Sequence, residues 1–397
     1  MNKLSIAYIT FDIVPAPKGA SVHIEAFSSA LADAYEEIHL LTVSPTAELI
    51  YSEQIHPNIN HVMLPALGND FIQRVLYFRR ALQGWLKNQR FDVIHIRSIY
   101  EGLIIACNKK QYCDRLIFEV NGLPSIELKY RYPAVADDEE LLYKLHSQEQ
   151  ICLNAADLVV TPSYVTAKYL QEREISENKI KVIPNGVDLD IFTYSKTQQF
   201  NTDLVHLPYQ MLYFGTFSSW QGVNLAIEAL GLVNRDFPAC LTVIGQGRNY
   251  QIKTLKQLAY KLGVADKLNI LEPMPQKELV AHIHSSDVIL APLTANDRNL
   301  VQGCCPLKIL EGMATGTPVI TSDIPVVQEL GENGVHFLSV KPGSAKAIKD
   351  AVVQLRNDQD LASQLAINGR QRIEAHYTWQ GAGKDLIAAY QELITVD

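Results

Sequence analysis

Between Gly303 and Thr321 the chain reads G-C-C-P-L-K-I-L-E-G-M-A-T-G-T-P-V-I-T, residue types whose spacing suits recognition of a diphosphate joined to a ribose. A small-residue turn, Gly303-Cys304-Cys305, leads to Pro306, a residue tolerated at the first position of a helix because the N–H it lacks would have no partner there. Helix starts carry free N–H groups and a partial positive charge, so they attract phosphate. Lys308 stands in that first turn, where a cation opposes the helix dipole; an anion that it must meet accounts for it better. Glu311 lies on the same face as Leu307 and Lys308 and can accept both hydroxyls of a ribose. Gly316-Thr317-Pro318 ends the helix and Val319-Ile320-Thr321 opens a strand. Without a ligand, the same letters describe an ordinary buried helix running into a strand.

Holding such a segment requires a sheet. Strand-like apolar runs alternate with amphipathic stretches almost throughout, which predicts an α/β chain with parallel sheets. Strands are expected at 4–10, 38–43, 60–64, 93–96, 116–120, 158–161 and 181–183, with helices at 21–34, 70–88, 139–155 and 163–173. The pattern restarts with strands at 211–214, 239–244, 268–271, 288–291, 319–321 and 336–338. Asn185-Gly186-Val187-Asp188 and the polar run 194–203 mark a boundary between the two halves. Two doubly wound sheets imply a cleft, with ligands at the carboxyl ends of the strands.

Composition narrows the class. The 397 residues suggest two or three domains, and 20% charged with 47% hydrophobic residues is ordinary for a globular protein. A net charge of -8 argues against a general nucleic-acid binder. The opening apolar run is too short for a signal-peptide core, and no apolar stretch approaches membrane-spanning length. The six cysteines form no C-x-x-C pair, which fits a reducing cytoplasm and neither a zinc site nor a disulfide framework.

The Pro306–Ile320 stretch resembles the donor-site signature of the retaining glycosyltransferases of family 4, P-x-K-x-x-E-x-M-A-x-G-x-P-V-I. Val182-Ile183-Pro184-Asn185-Gly186-Val187-Asp188 is similar to that family's domain junction. Tyr213-Phe214-Gly215-Thr216-Phe217-Ser218-Ser219-Trp220-Gln221-Gly222 stands at its strand–loop phosphate motif, and Val243-Ile244-Gly245-Gln246-Gly247-Arg248 at its next strand end. The resemblance implies the GT-B fold: two Rossmann-like doubly wound parallel-sheet domains facing across a cleft. It places an acceptor-side domain at 1–188, a nucleotide-sugar domain at 207–376, and a last helix (377–397) crossing back onto the first. It implies a donor diphosphate at the helix start and Glu311 on the ribose. Gly19, Gly215, Thr216, Gln221, Gly245, Arg248, Met274, Gly303, Cys304, Cys305 and Leu307 complete the expected donor set.

The chain also departs from the pattern. The usual basic pair of the phosphate loop is replaced by Thr216 or Phe217 and by Gln221, which shifts neutralisation of the diphosphate to Lys308, Arg248 and the helix start. Gly303 stands where a second glutamate contacts the donor sugar, and backbone amides of 303–305 would replace it. Lys18-Gly19 replaces a glycine pair; Lys18 either binds an anionic acceptor or is solvated. Arg248 is likewise a phosphate contact or a surface arginine. Gly245-Gln246-Gly247 is not a dinucleotide fingerprint, because Tyr250 fills the place of its third glycine. Asn121 replaces a histidine beneath the leaving sugar and can hydrogen-bond a sugar hydroxyl or the attacking alcohol. Arg97 ends a strand where a polar residue faces the cleft, while His95 is expected to point into the domain. Asn121, Arg97 and Lys308 are the candidate catalytic residues, with Lys18, Arg97 and Asn121 on the acceptor side.

Segment 71–90 holds Arg74, Arg79, Arg80, Lys87 and Arg90 and no acid. It reads either as a basic surface for anionic lipid or as one helix packing Phe71, Val75, Phe78, Leu82 and Trp85 on the sheet. The expectation is a cytoplasmic hexosyltransferase, peripheral to the membrane if that surface meets lipid. It would use a UDP- or GDP-sugar without cofactor or metal and transfer to a saccharide, sugar phosphate or lipid-linked hydroxyl with retention. The alternative is a non-catalytic scaffold that binds a nucleotide sugar or a protein partner.

Overall fold

The computed structural model describes residues 4–52, 55–195 and 208–395. The polar run 194–203 therefore lies largely outside the described residues. The chain divides into two compact units: one holds residues up to Pro184, Gln302–Cys304 and everything from Trp379 onward; the other holds Asn185–Val301 and Cys305–Thr378.

Among the described residues the first unit carries β1 (Ser5–Ile9), β2 (Glu37–Val43), β3 (Ile50–Ser52), β4 (Ile59–Leu64), β5 (Phe91–Ile96), β6 (Cys113–Glu119), β7 (Leu158–Thr161) and β8 (Ile180–Val182). They form one sheet in the order β3-β4-β2-β1-β5-β6-β7-β8. Every pairing is parallel except β3 with β4. Successive side chains of β1 enter different cores: Ala7 and Ile9 join Phe78, Leu82 and Leu86 on one face, and Ile6 and Tyr8 join Ile24, Phe27 and Leu386 on the other. Covering both faces is what makes these strands continuous apolar runs rather than alternating ones. The terminal helix, Trp379–Thr395, packs beside helix Gly19–Ala34 on the second of these faces.

The second unit carries β9 (Tyr209–Phe214), β10 (Ala239–Ile244), β11 (Leu268–Leu271), β12 (Val288–Ala291), β13 (Val319–Ser322) and β14 (Leu338–Val340). This sheet runs β11-β10-β9-β12-β13-β14 and is parallel throughout. Two strand expectations needed correction. The short edge strand β3 was missed, because three residues give no periodicity to read. The last strand lies at Leu338–Val340 rather than 336–338, since His336 is used as a turn acceptor for the Glu332 N–H.

The acid-free segment forms helix Phe71–Leu86, capped by Asp70. Val75, Phe78, Leu82 and Leu86 are buried, and Trp85 stacks on Phe91. Three of its five bases turn to protein partners. Arg79 donates to the Tyr100 and Ile99 carbonyls at 2.7 Å each, Arg74 to the Ala66 carbonyl at 3.2 Å, and Arg90 to Asp114 at 2.5 Å. The membrane-surface reading therefore loses most of its basis, and the helix is the ordinary packed one. No helix among the described residues is long and apolar enough to cross a membrane.

Candidate functional site

In the second unit the expected donor residues gather at the carboxyl end of the sheet. Pro306 is the cap of helix Leu307–Thr315, one position earlier than expected, and Leu307 is the first helical residue. Lys308 is buried, with its Nζ 4.0 Å from the centre of the Tyr213 ring. Tyr213 is itself fixed by donating its hydroxyl to the Thr216 carbonyl at 2.7 Å. The aromatic face stabilises an ammonium taken out of water, which explains how Lys308 tolerates its place at the helix start. Glu311 is also buried, and Gln276 donates to its Oε1 at 3.2 Å. Burial pushes the Glu311 carboxyl up to about 7, against the opposing pull of the Gln276 hydrogen bond and the Lys308 charge. An ammonium and a carboxyl near its titration point thus share one helix.

The glycine loops are built for close approach of backbone to backbone. A Cβ on Gly245 would lie 1.8 Å from the Gly215 carbonyl oxygen, and one on Gly247 would lie 2.3 Å from the Phe217 ring. Gly215 has φ of 126°, and a Cβ there would come 3.2 Å from Lys308 Nζ. The amides of Gly215 and Gly245 are engaged within the sheet. The Gly215 N–H donates to the Ile244 carbonyl and the Gly245 N–H to the Leu271 carbonyl, extending the ladders. Gly215 leaves space beside Lys308, and Gly245 lets the Gly215 carbonyl come close. Gly245→Ala is expected to cost about 1–3 kcal/mol of stability by overpacking and to lower nucleotide affinity through the displaced Gly215. Urea unfolding and a nucleotide titration on the same variant check both.

Thr216 is exposed and Met274 half-buried in the loop after β11. The Gln221 Oε1 is buried without a hydrogen-bond partner among the described residues. Arg248 is exposed at the start of helix Asn249–Lys261. Cys305 is buried, and its carbonyl accepts from Asn185 of the junction motif at 2.7 Å. Gly303 and Cys304 belong to the first unit, where a Cβ on Gly303 would lie 2.7 Å from Ser163 Oγ and 2.6 Å from Thr166 Oγ1. Gly303 is thus required by packing as well as by its φ of 84°. The sequence reading passed over Arg298, which lies over the Trp220 ring at 5.6 Å on the segment after β12.

In the first unit the acceptor-side residues prove to be engaged with one another. Gly19 is exposed and opens helix Gly19–Ala34. Lys18 is half-buried, and its Nζ meets Asp12 Oδ1 at 2.6 Å. Arg97 follows the last residue of β5, as expected. It is buried, donating through Nε to Glu119 at 2.9 Å and through Nη1 to Asp12 at 3.3 Å. Asn121 Nδ2 donates to Glu119 Oε1. His95 points into the domain, as expected. Among the described residues no group of three or more His, Cys, Asp or Glu side chains could hold a metal ion.

Comparison with known proteins gives this arrangement a family. Residues 17–191 match Glycosyltransferase Family 4, and residues 195–372 match Glycosyl transferases group 1. The chain belongs to the glycosyltransferases of family 4 and has the GT-B fold. An uncharacterized glycosyltransferase of Methanocaldococcus jannaschii is 24% identical over 98% of both chains. The D-inositol 3-phosphate glycosyltransferase of Corynebacterium urealyticum is 26% identical over 77% of this chain and 72% of its own. Among solved structures, sucrose-phosphate synthase from Thermosynechococcus elongatus superposes with a TM-score of 0.83 at 20% identity, covering 99% of this chain and all of the other. HepE of Anabaena, solved with UDP-glucose, gives 0.74 at 16% identity, covering 98% of this chain and all of its own. These structural likenesses speak for the fold.

Proposed function

We propose that this glycosyltransferase moves a hexose from a UDP- or GDP-sugar to an acceptor hydroxyl, with retention and without a metal. The observation that carries the reading is the pairing on one helix of Lys308, held against Tyr213 beneath Gly215, with the buried Glu311. Glu311 accepts the ribose hydroxyls. Lys308 meets the diphosphate, where negative charge grows as the glycosidic bond breaks. A fixed cation there stabilises the transition state more than the ground state. Same-face attack by the acceptor, with the leaving phosphate taking its proton, preserves the anomeric configuration and needs no side-chain base. The D-inositol 3-phosphate glycosyltransferases among the relatives, and HepE solved with UDP-glucose, support a polyol or saccharide acceptor and a nucleotide donor.

Two measurements test this. Among UDP, GDP and their hexose conjugates, at least one is expected to raise the melting temperature in a concentration-dependent way; no shift with any of them would sink the donor assignment. Turnover is expected to persist in excess EDTA, since Lys308 and the helix start take the place of a divalent ion. Loss of activity on chelation, restored by manganese or magnesium, would contradict the metal-independent route.

A further inference from the structure

Glu119 is the last residue of β6 and is 1% exposed, yet three donors bond its carboxylate and two histidine nitrogens lie close to it. Oε2 accepts from the Tyr8 hydroxyl at 2.6 Å and lies 3.1 Å from His95 Nε2. Oε1 accepts from Arg97 Nε at 2.9 Å and from Asn121 Nδ2, and lies 2.8 Å from His23 Nε2. A carboxylate offers about four lone-pair sites, so this one is saturated. Burial pushes its protonation upward, but the charges of His23 and Arg97 and the histidine hydrogen bonds outweigh burial and hold it well below the usual carboxylate range. Behind His95 stands the terminal helix: His95 Nδ1 lies 2.7 Å from the Tyr390 hydroxyl. The Glu119 carboxylate 3.1 Å away, which only accepts, favours the tautomer with the hydrogen on Nε2. The His95 Nδ1 then receives the Tyr390 O–H, and burial favours this neutral form. Outward from Glu119 the charges alternate in sign through Arg97 and Asp12 to Lys18, whose side chain is 38% exposed.

A stability requirement alone explains this poorly, since buried ionic clusters are often replaceable by apolar residues of equal volume at no cost. The cluster also sits at the carboxyl ends of β1, β5 and β6, where parallel sheets place their ligands. We propose that Glu119 is the positioning residue of the acceptor side: it fixes Arg97 and Asn121 at the end of the sheet, and the terminal helix supports it through Tyr390 and His95. The proposal rests on the reading that Arg97 and Asn121 face the transferred sugar. Two consequences follow. Lys18 and Arg97 are already balanced by Asp12 and Glu119, so this edge does not select an anionic acceptor by charge. And the terminal helix takes part in the site, through the Tyr390 hydroxyl on His95 and the Trp379 ring against His23.

Glu119→Gln puts an N–H2 where donors converge, so Arg97 and Asn121 must move. With UDP-glucose, UDP-galactose and GDP-mannose as donors and water as the default acceptor, release of nucleoside diphosphate is expected to fall at least tenfold. The affinity for UDP and GDP should stay as in the wild type. Asn121→Ala is expected to lower the same rate, and the double variant to lose no more than the larger single loss, because both act through one residue. Losses that multiply, an unchanged rate in Glu119→Gln, or nucleotide affinity falling in step with rate would overturn the proposal. If the wild type releases nothing from these donors, the transfer reading fails instead, and positioning is judged by imidazole NMR. There, His95 should be neutral with its hydrogen on Nε2, and Glu119→Gln should shift its signals. Hydrogen on Nδ1, or signals indifferent to Glu119, would contradict it. Should Glu119→Gln not fold, Tyr390→Phe removes only the hydroxyl and is expected to move the His95 Nδ1 resonance; no movement would overturn the link to the terminal helix.

Discussion

Glu311→Gln is expected to weaken nucleoside diphosphate binding by roughly 2–4 kcal/mol, because one of two charge-assisted acceptors is lost and the other becomes a neutral amide oxygen. The same change is expected to stabilise the unliganded protein at pH 8. The two effects have one cause. In the folded chain the carboxyl titrates at about 7, above its value of 4.5 in the unfolded chain, because burial disfavours the ion. The folded state therefore holds its proton more tightly. The contribution of Glu311 to stability is greatest below pH 4.5, falls as pH rises towards 7, and stays flat above, the total on the order of 3 kcal/mol. Glutamine removes that fall. Donor hydroxyls reverse the preference by donating to the ionised form, so nucleotide affinity in the wild type should rise with pH up to about 7, and the variant should lose that dependence. Urea titrations at pH 5 and pH 8, with nucleotide titrations at both, read all of this. Unchanged affinity in a folded Glu311→Gln would remove the ribose role.

Lys308→Met is expected to lower turnover by roughly 10²-fold or more, the size associated with removing one group that stabilises developing charge. Methionine keeps the volume and meets the Tyr213 ring through its sulfur, so the fold should hold where alanine would leave a cavity beside Tyr213. Affinity for a nucleoside without phosphates should be untouched, while affinity for the diphosphate drops. Equal losses for both would mean that Lys308 only shapes the pocket. The burial of Lys308 sharpens the expectation, because a cation in a site of low polarity acts on a nearby phosphate with little screening.

These two residues were legible in the sequence because their meaning is local. Proline, lysine and glutamate at fixed spacing define a helix start and one face, and the helix is where the letters place it, within one residue. The long parallel strands were legible for the same reason: apolar runs of four to seven residues bounded by turn residues. What escaped was non-local. Arg97 was read as facing the cleft because nothing near it in sequence shows that Glu119 closes on it, while Asp12, six residues before Lys18, reaches that lysine only through the fold of the loop between them. Glu119 itself drew no notice, since its partner Tyr8 stands 111 residues away and Tyr390 is 295 residues from His95. The glycines were recognised as sites of close approach, but their partner is each other's backbone, a fact that only the pairing of β9 with β10 supplies.

On the proposed reading, the Lys308–Glu311 helix holds a nucleotide sugar whose glycosidic bond the protein breaks. Release of nucleoside diphosphate from a panel of UDP- and GDP-hexoses, followed in parallel for the wild type and Glu311→Gln, measures this. Release from at least one donor is expected for the wild type, with loss of nearly all of it in the folded variant. Release at equal rates by both proteins, or none by a folded wild type that also fails to bind UDP and GDP, would contradict it.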